Sequence, residues 1–190
     1  MEANYPMNLT CYYGENPDFE ERMNTKKRIL HFAIAAVCLL LVIFPSIVSF
    51  LPLGDILVRI AAGIGLIYFG VSAFFFTGHT YNKLSGGKIK KVAIKKFETP
   101  ERGTVPYGDD DEKVLTMFAN DDWEGLANEP EADDRPLQLY IDEDEVGKTF
   151  YLQLMRYFSS SDFRGVTEVK VISGPEYSKY YQVIKSIKST

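Results

Sequence analysis

Two apolar runs decide how this chain is organised: Ile29–Leu53, ILHFAIAAVCLLLVIFPSIVSFLPL, and Ile56–Gly78, ILVRIAAGIGLIYFGVSAFFFTG. The first holds 25 residues without a formal charge, and the second holds 23 with Arg59 as its only one. At about 1.5 Å of helical rise per residue they measure roughly 37 and 35 Å, enough to cross a hydrocarbon core of about 30 Å. The expectation is a two-helix transmembrane hairpin over residues 29–82, with spans 29–53 and 56–78. Pro52, Gly54 and Asp55 would make the tight break between them, and Pro45 would kink the first span. A signal peptide does not fit, because the run is too long and 28 residues precede it.

Lysine and arginine set the expected orientation. Arg22, Lys26, Lys27 and Arg28 precede the first run, six lysines follow the second, and the connection between the runs has none before Arg59. Basic flanks stay on the cytoplasmic side. The chain is therefore expected to be a multi-pass protein of a bacterial inner or plasma membrane with both termini inside. Phe74, Phe75, Phe76 and Tyr81 would lie at the inner interface. Asp55 and Arg59, four apart, read as a pair at the outer end of the second helix. In that helix Ala61, Gly63, Gly65 and Gly70 are small enough to let a neighbouring helix, or a second copy, approach closely.

Outside the spans, charge is unevenly shared. Residues 83–102 hold seven basic and two acidic groups, while residues 103–190 hold nine basic and eighteen acidic groups. The basic juxtamembrane segment 83–102 is expected to contact anionic lipid through Lys83, Lys88, Lys90, Lys91, Lys95 and Lys96. The acidic body 103–190 excludes nucleic acid as a natural partner and favours a basic protein. Residues 1–28 show no periodicity and are expected to form a cytoplasmic tail, flexible or docked on a partner. Cys11 and Cys38 fall in different environments, so no disulfide is expected. Leu9-Thr10-Cys11 lacks the hydrophobic run of a lipoprotein signal, and the Asn8-Leu9-Thr10 sequon has no role in a cytoplasmic tail. His31 and His79 are expected at the inner ends of the spans.

After the glycines at 86 and 87 the pattern is that of an α+β domain with a mainly antiparallel sheet, in the order β-α-β-β-β-α. Residues 88–97 favour a strand for their β-branched residues, although Ile89, Val92, Ala93 and Phe97 also permit an interfacial helix. Glu112–Ala119 reads as a helix with Val114, Leu115 and Phe118 inward, continued by Trp123 and Leu126. Leu137, Leu139 and Ile141 alternate with Gln138 and Tyr140 as a half-buried strand. An acidic turn over Asp142–Gly147 and a second strand over Thr149–Phe158 would complete a hairpin, with a helix through Phe150, Leu154 and Tyr157 as the alternative. Ser159–Gly165 reads as a turn, and Thr167, Val169 and Val171 as a strand. Ser173, Pro175 and Glu176 open a last helix striped by Tyr177, Tyr180, Tyr181, Ile184 and Ile187.

No catalytic constellation is legible. Residues 83–190 contain neither His nor Cys. A calcium loop begun at Asp142 would place Val146 and Gln153 where oxygen ligands are required, and Gly147-Lys148-Thr149 lacks the first glycine of a phosphate loop. No cofactor and no metal are expected. Asp142, Glu143, Asp144 and Glu145, read as a solvated acidic turn, are the candidate partner-binding residues. The expected function is a non-catalytic membrane interaction protein: an assembly subunit, adaptor or regulator. The alternatives are a membrane-anchored immunity protein that neutralises a toxin, or an accessory subunit of a transporter or channel.

Overall fold

The computed structural model describes residues 6–48, 54–75, 78–98, 109–131, 136–159 and 162–187. The chain forms two compact units: residues 21–79, and a discontinuous unit made of residues 1–20 together with 80–190. The class is α+β with antiparallel sheets, as the patterning implies. The expectation for the first 28 residues changes, because much of that segment belongs to the folded unit.

In the discontinuous unit, β3 (Ile89–Lys96), β4 (Leu137–Asp144), β5 (Thr149–Ser159) and β6 (Asp162–Gly165) lie side by side, and β7 (Lys170–Ser173) also pairs with β5. Every pairing is antiparallel. Residues 89–96 and 149–159 are strands rather than helices, and β4–β5 is the expected hairpin, running from Leu137 opposite Arg156 to Asp144 opposite Thr149. Its turn holds Lys148 at φ 48°. β6 occupies residues read from the sequence as a turn, and β7 begins at Lys170 rather than Thr167.

One face of the sheet carries the main core. Ala93, Phe97, Leu139, Ile141, Phe150, Leu152 and Leu154 pack against α4 (Asp109–Ala119), α5 (Trp123–Asn128) and α6 (Gly174–Ser186). Of the expected inward residues, Val114, Phe118, Trp123, Leu126, Tyr177, Ile184 and Ile187 are buried, while Leu115, Tyr180 and Tyr181 are half-buried. Trp123 and Leu126 stand on a separate short helix, which starts after Asp121 turns the chain with φ 58°. The capping box of α6 does not form, because the Ser173 side chain makes no cap hydrogen bond.

The opposite face is covered as well. There α1 (Leu9–Glu15), capped by the Asn8 side chain on the Cys11 N–H, and the first residue of β1 (Phe19–Met23) supply Leu9, Tyr12, Tyr13 and Phe19 to a cluster with Ile89, Tyr151 and Met155. Gln153, fully buried, donates to the Met7 and Thr167 carbonyls. This second cover corrects the half-buried reading of Leu137–Ile141: Gln138 is buried too. The apolar positions of α1 and β1 are too few to show a period, which is why the segment reads as a tail.

In residues 21–79, α2 (Thr25–Ile43) and α3 (Asp55–Phe75) pack together. The boundaries correct the expected spans. Phe44 caps α2, Pro45–Val48 forms a 3-10 turn, and the chain past Phe75 enters β2 (Gly78–Asn82), which pairs with β1. Pro45 thus follows a helix end instead of kinking a helix, since it cannot supply the next backbone N–H. Pro52 and Phe76 lie outside the described residues. Among the described residues α3 is the one helix long and apolar enough to cross a membrane. The two-span hairpin is corrected to that extent: α2 spends its first turn on Lys26, Lys27 and Arg28, and its uncharged part measures about 22 Å.

Candidate functional site

The surface that sets this chain apart belongs to the helix pair. Its seam is made of small and polar side chains: Ala35, Val58, Ala62, Ser72 and Ala73 are buried, and His31 Nδ1 lies 3.0 Å from Ser72 Oγ. The His31 ring stands edge-on to Phe69 at 5.7 Å. On α3 the seam runs through positions 58, 62, 65, 69 and 72, alternating steps of four and three, the period of a close-packed helix pair. The outer faces are the reverse. Ile29, Leu30, Val37, Leu39, Leu40 and Ile43 of α2, with Ile56, Leu57, Ile60, Ile64, Ile67 and Phe75 of α3, are 46–76 % exposed. A continuous apolar surface of this kind is not sustained in water without a cover.

The four small residues singled out in α3 separate on this geometry. Only Gly65 meets α2, where a Cβ would fall 2.9 Å from Cys38 Sγ. Gly63 and Gly70 have open space where a side chain would start, and Ala61 is exposed. Ala62, Ser72 and Ala73 do the close packing instead. The alternating spacing is the signal that finds them. Asp55 and Arg59 are both exposed, and no ion pair joins them among the described residues.

The six lysines of the basic segment are dispersed by the fold. Lys95 is 1 % exposed, donates to the Ala127 carbonyl at 2.7 Å and pairs with Glu131 at 3.1 Å. Lys83 donates to the Pro17 carbonyl at 2.6 Å, and Lys90 binds Glu145 at 2.5 Å. Lys91 sits over the Tyr140 ring. Lys88 and Lys96 are half-buried. A strand alternates its side chains between two faces, so a run of lysines on β3 cannot present one basic surface.

The acidic row meets a similar fate, and the solvated turn is corrected. Asp142, Glu143 and Asp144 belong to β4, and only Glu145 starts the turn. Glu143 is 1 % exposed and accepts hydrogen bonds from Tyr177 Oη at 2.6 Å and Lys185 Nζ at 2.5 Å. Burial, then the Glu143 carboxylate, push the Tyr177 hydroxyl well above its ordinary range. Asp144 is fully buried; it accepts from the N–H groups of Val146 and Gly147 and from Ser85 Oγ. Its carboxylate fills the space a Cβ would need at Gly87 or Gly147, so both turns require glycine there. Asp142 accepts from Tyr13 Oη at 3.1 Å. Burial raises its carboxyl above the usual value, while the Tyr13 bond and Lys91 lower it. Glu145 alone is an open carboxylate, held low by Lys90.

Two grooves mark the discontinuous unit. One, about 370 Å³, lies between α5 and α6 and is lined by Asp122, Trp123, Tyr180 and Val183 among others. The other, about 500 Å³, lies between the end of α4 and residues 167–171. Asp122 is engaged in capping α5 through the Gly125 N–H, and Lys170 in holding the Phe118 carbonyl and Asp121. No group of three metal-ligating side chains occurs among the described residues. Compared with known proteins, the chain matches no family model, no curated protein and no solved structure.

Proposed function

We propose that this chain is a non-catalytic membrane protein: α2 and α3 anchor it in the bilayer, and its α+β unit holds a protein partner on the cytoplasmic side. The observation that carries this reading is the apolar outer surface of the helix pair, joined to a unit whose own core is fully covered. Lipid is the cover that such a surface fits. The discontinuous unit supports a return crossing. If α3 alone crossed, residues 6–20 and 80–187 would stand on opposite sides, yet they pack into one unit. The uncharged part of α2 measures about 22 Å, so the return path would be completed by the apolar chain after its end at Phe44. Basic flanks favour the cytoplasm for that unit.

A basic partner suits the net charge of residues 103–190. Because Glu143 and Asp144 are buried, the exposed acids Glu112, Asp121, Asp122, Glu124 and Glu176 would face it rather than the row at 142–144. Such an association would weaken as salt screens the charges over about 8 Å.

Cysteine labelling tests the topology. Gly54→Cys in a chain lacking Cys11 and Cys38 should react with an impermeant thiol reagent on intact cells. Native Cys11, exposed on α1, should react only after permeabilisation. Labelling of Cys11 in intact cells would overturn the orientation. For the partner, the tagged full chain in mild detergent should co-purify a basic protein at low salt and release it at high salt. Turnover of a substrate by the purified chain would defeat the non-catalytic reading.

A further inference from the structure

At the start of α2, the Arg28 guanidinium is boxed by aromatic rings. Its central carbon lies 5.7 Å from the Phe32 ring centre and 5.4 Å from that of Phe74, and the two rings stand at 86° to one another, 5.3 Å apart. Phe32 follows Arg28 by one helical turn, while Phe74 comes from the far end of α3, so the box exists only in the packed pair. Arg28 has five N–H donors and little to spend them on. Nη1 reaches Met23 Sδ at 3.4 Å, a thioether and a poor acceptor, and Nε is buried with no acceptor. No carboxylate pairs with Arg28 among the described residues.

A guanidinium held on aromatic faces and partly stripped of water, with Nε sealed from any ligand and the Nη groups left to donate, has the chemistry that binds a phosphate oxygen. Exposed Lys26 and Lys27 adjoin it. Phe32 and Phe74 are themselves 40 % and 53 % exposed, continuous with the apolar outer faces. A ligand that offers phosphate and hydrocarbon together meets both surfaces. We propose that Arg28, boxed by Phe32 and Phe74, binds the headgroup phosphate of an anionic phospholipid. The inference rests on the membrane reading above and deepens it. It also moves the lipid contact away from Lys83, Lys90 and Lys95, whose ammonium groups are already engaged.

The test uses the delipidated full chain in detergent micelles, titrated with phosphatidylglycerol or phosphatidylcholine of identical acyl chains and read by native mass spectrometry. Wild-type protein should retain phosphatidylglycerol about tenfold more tightly than Arg28→Gln, the loss of one charge-assisted phosphate contact. Arg28→Lys, which keeps the charge and the stem, should retain it less tightly than wild type, as should Phe74→Leu. Lys83→Gln should bind as wild type does. Inorganic phosphate at equal concentration should not displace the lipid; displacement would mean a free-phosphate site and overturn the lipid assignment. Equal retention by wild type, Arg28→Gln and Arg28→Lys would overturn the site. Extraction of the wild-type chain from membranes by alkaline carbonate would instead defeat the membrane reading on which it rests.

Discussion

Changing Glu143 to Gln should destabilise the α+β unit by about 3 kcal/mol. The side chain is 1 % exposed, and its two oxygens are taken by Tyr177 Oη and Lys185 Nζ. Removing one member of a buried charged pair costs about 3–5 kcal/mol, because the remaining charge stays desolvated. The lower end applies here, since the Lys185 side chain is 29 % exposed and can turn partly to water. The amide has nearly the shape of the carboxylate, so the loss reflects charge and one acceptor rather than a cavity. At about 2–4 °C per kcal/mol for a chain of this size, the midpoint should fall by roughly 10 °C. Circular dichroism and the fluorescence of the single tryptophan, Trp123 in the core, both follow the transition. Glu145→Gln is the control: Glu145 is paired with Lys90 at half-exposed positions and should leave the midpoint essentially unchanged. Equal melting of the Glu143 and Glu145 variants would refute the buried pair and restore the solvated row.

Two further outcomes follow from the geometry. Gly65→Leu should force α2 and α3 apart at Cys38, whereas Gly63→Leu, entering open space, should be tolerated; protease resistance of the helix pair separates them, and equal resistance would dismiss the seam. The raised Asp142 carboxyl gives a pH dependence with a definite sign. Above its ordinary value of 3.8 the folded unit holds this proton longer than the unfolded chain does, so its contribution to stability is present at low pH and is lost as pH rises through the raised value. Melting temperatures compared between about pH 3.5 and 7 should fall in wild type relative to Asp142→Asn as the pH rises. A relative rise in wild type across that window would contradict the burial of the carboxyl.

What the sequence determined by itself lies where a local period meets a local requirement. Alternation over Leu137–Ile141 suffices for a strand, because period two places one face inward whatever covers it, while the second arm of the hairpin stays open to a helix until it pairs with β4. The stripe Tyr177, Ile184 and Ile187 suffices for α6, whereas residues 88–97 favour a strand by their β-branched residues but still permit a helix until they pair with β4. The apolar runs likewise mark the helices, though not their ends: the first helix starts before its run, at Thr25, and stops ahead of Pro45, and β2 claims Gly78 from the other. Tertiary structure decided the rest. Whether Glu143 is a surface charge or a core ligand depends on Tyr177 and Lys185, more than thirty residues away, and Asp142 depends on Tyr13, at the other end of the chain. The same holds for the lysines of β3 and for the box around Arg28. A charge is placed by the partners that repay its loss of water, and those partners come together only when distant segments pack. Residues 6–20 enter the fold for the same reason: Leu9, Tyr12, Tyr13 and Phe19 cluster with one another, but the surface that buries them comes from Ile89, Tyr151 and Met155, far along the chain.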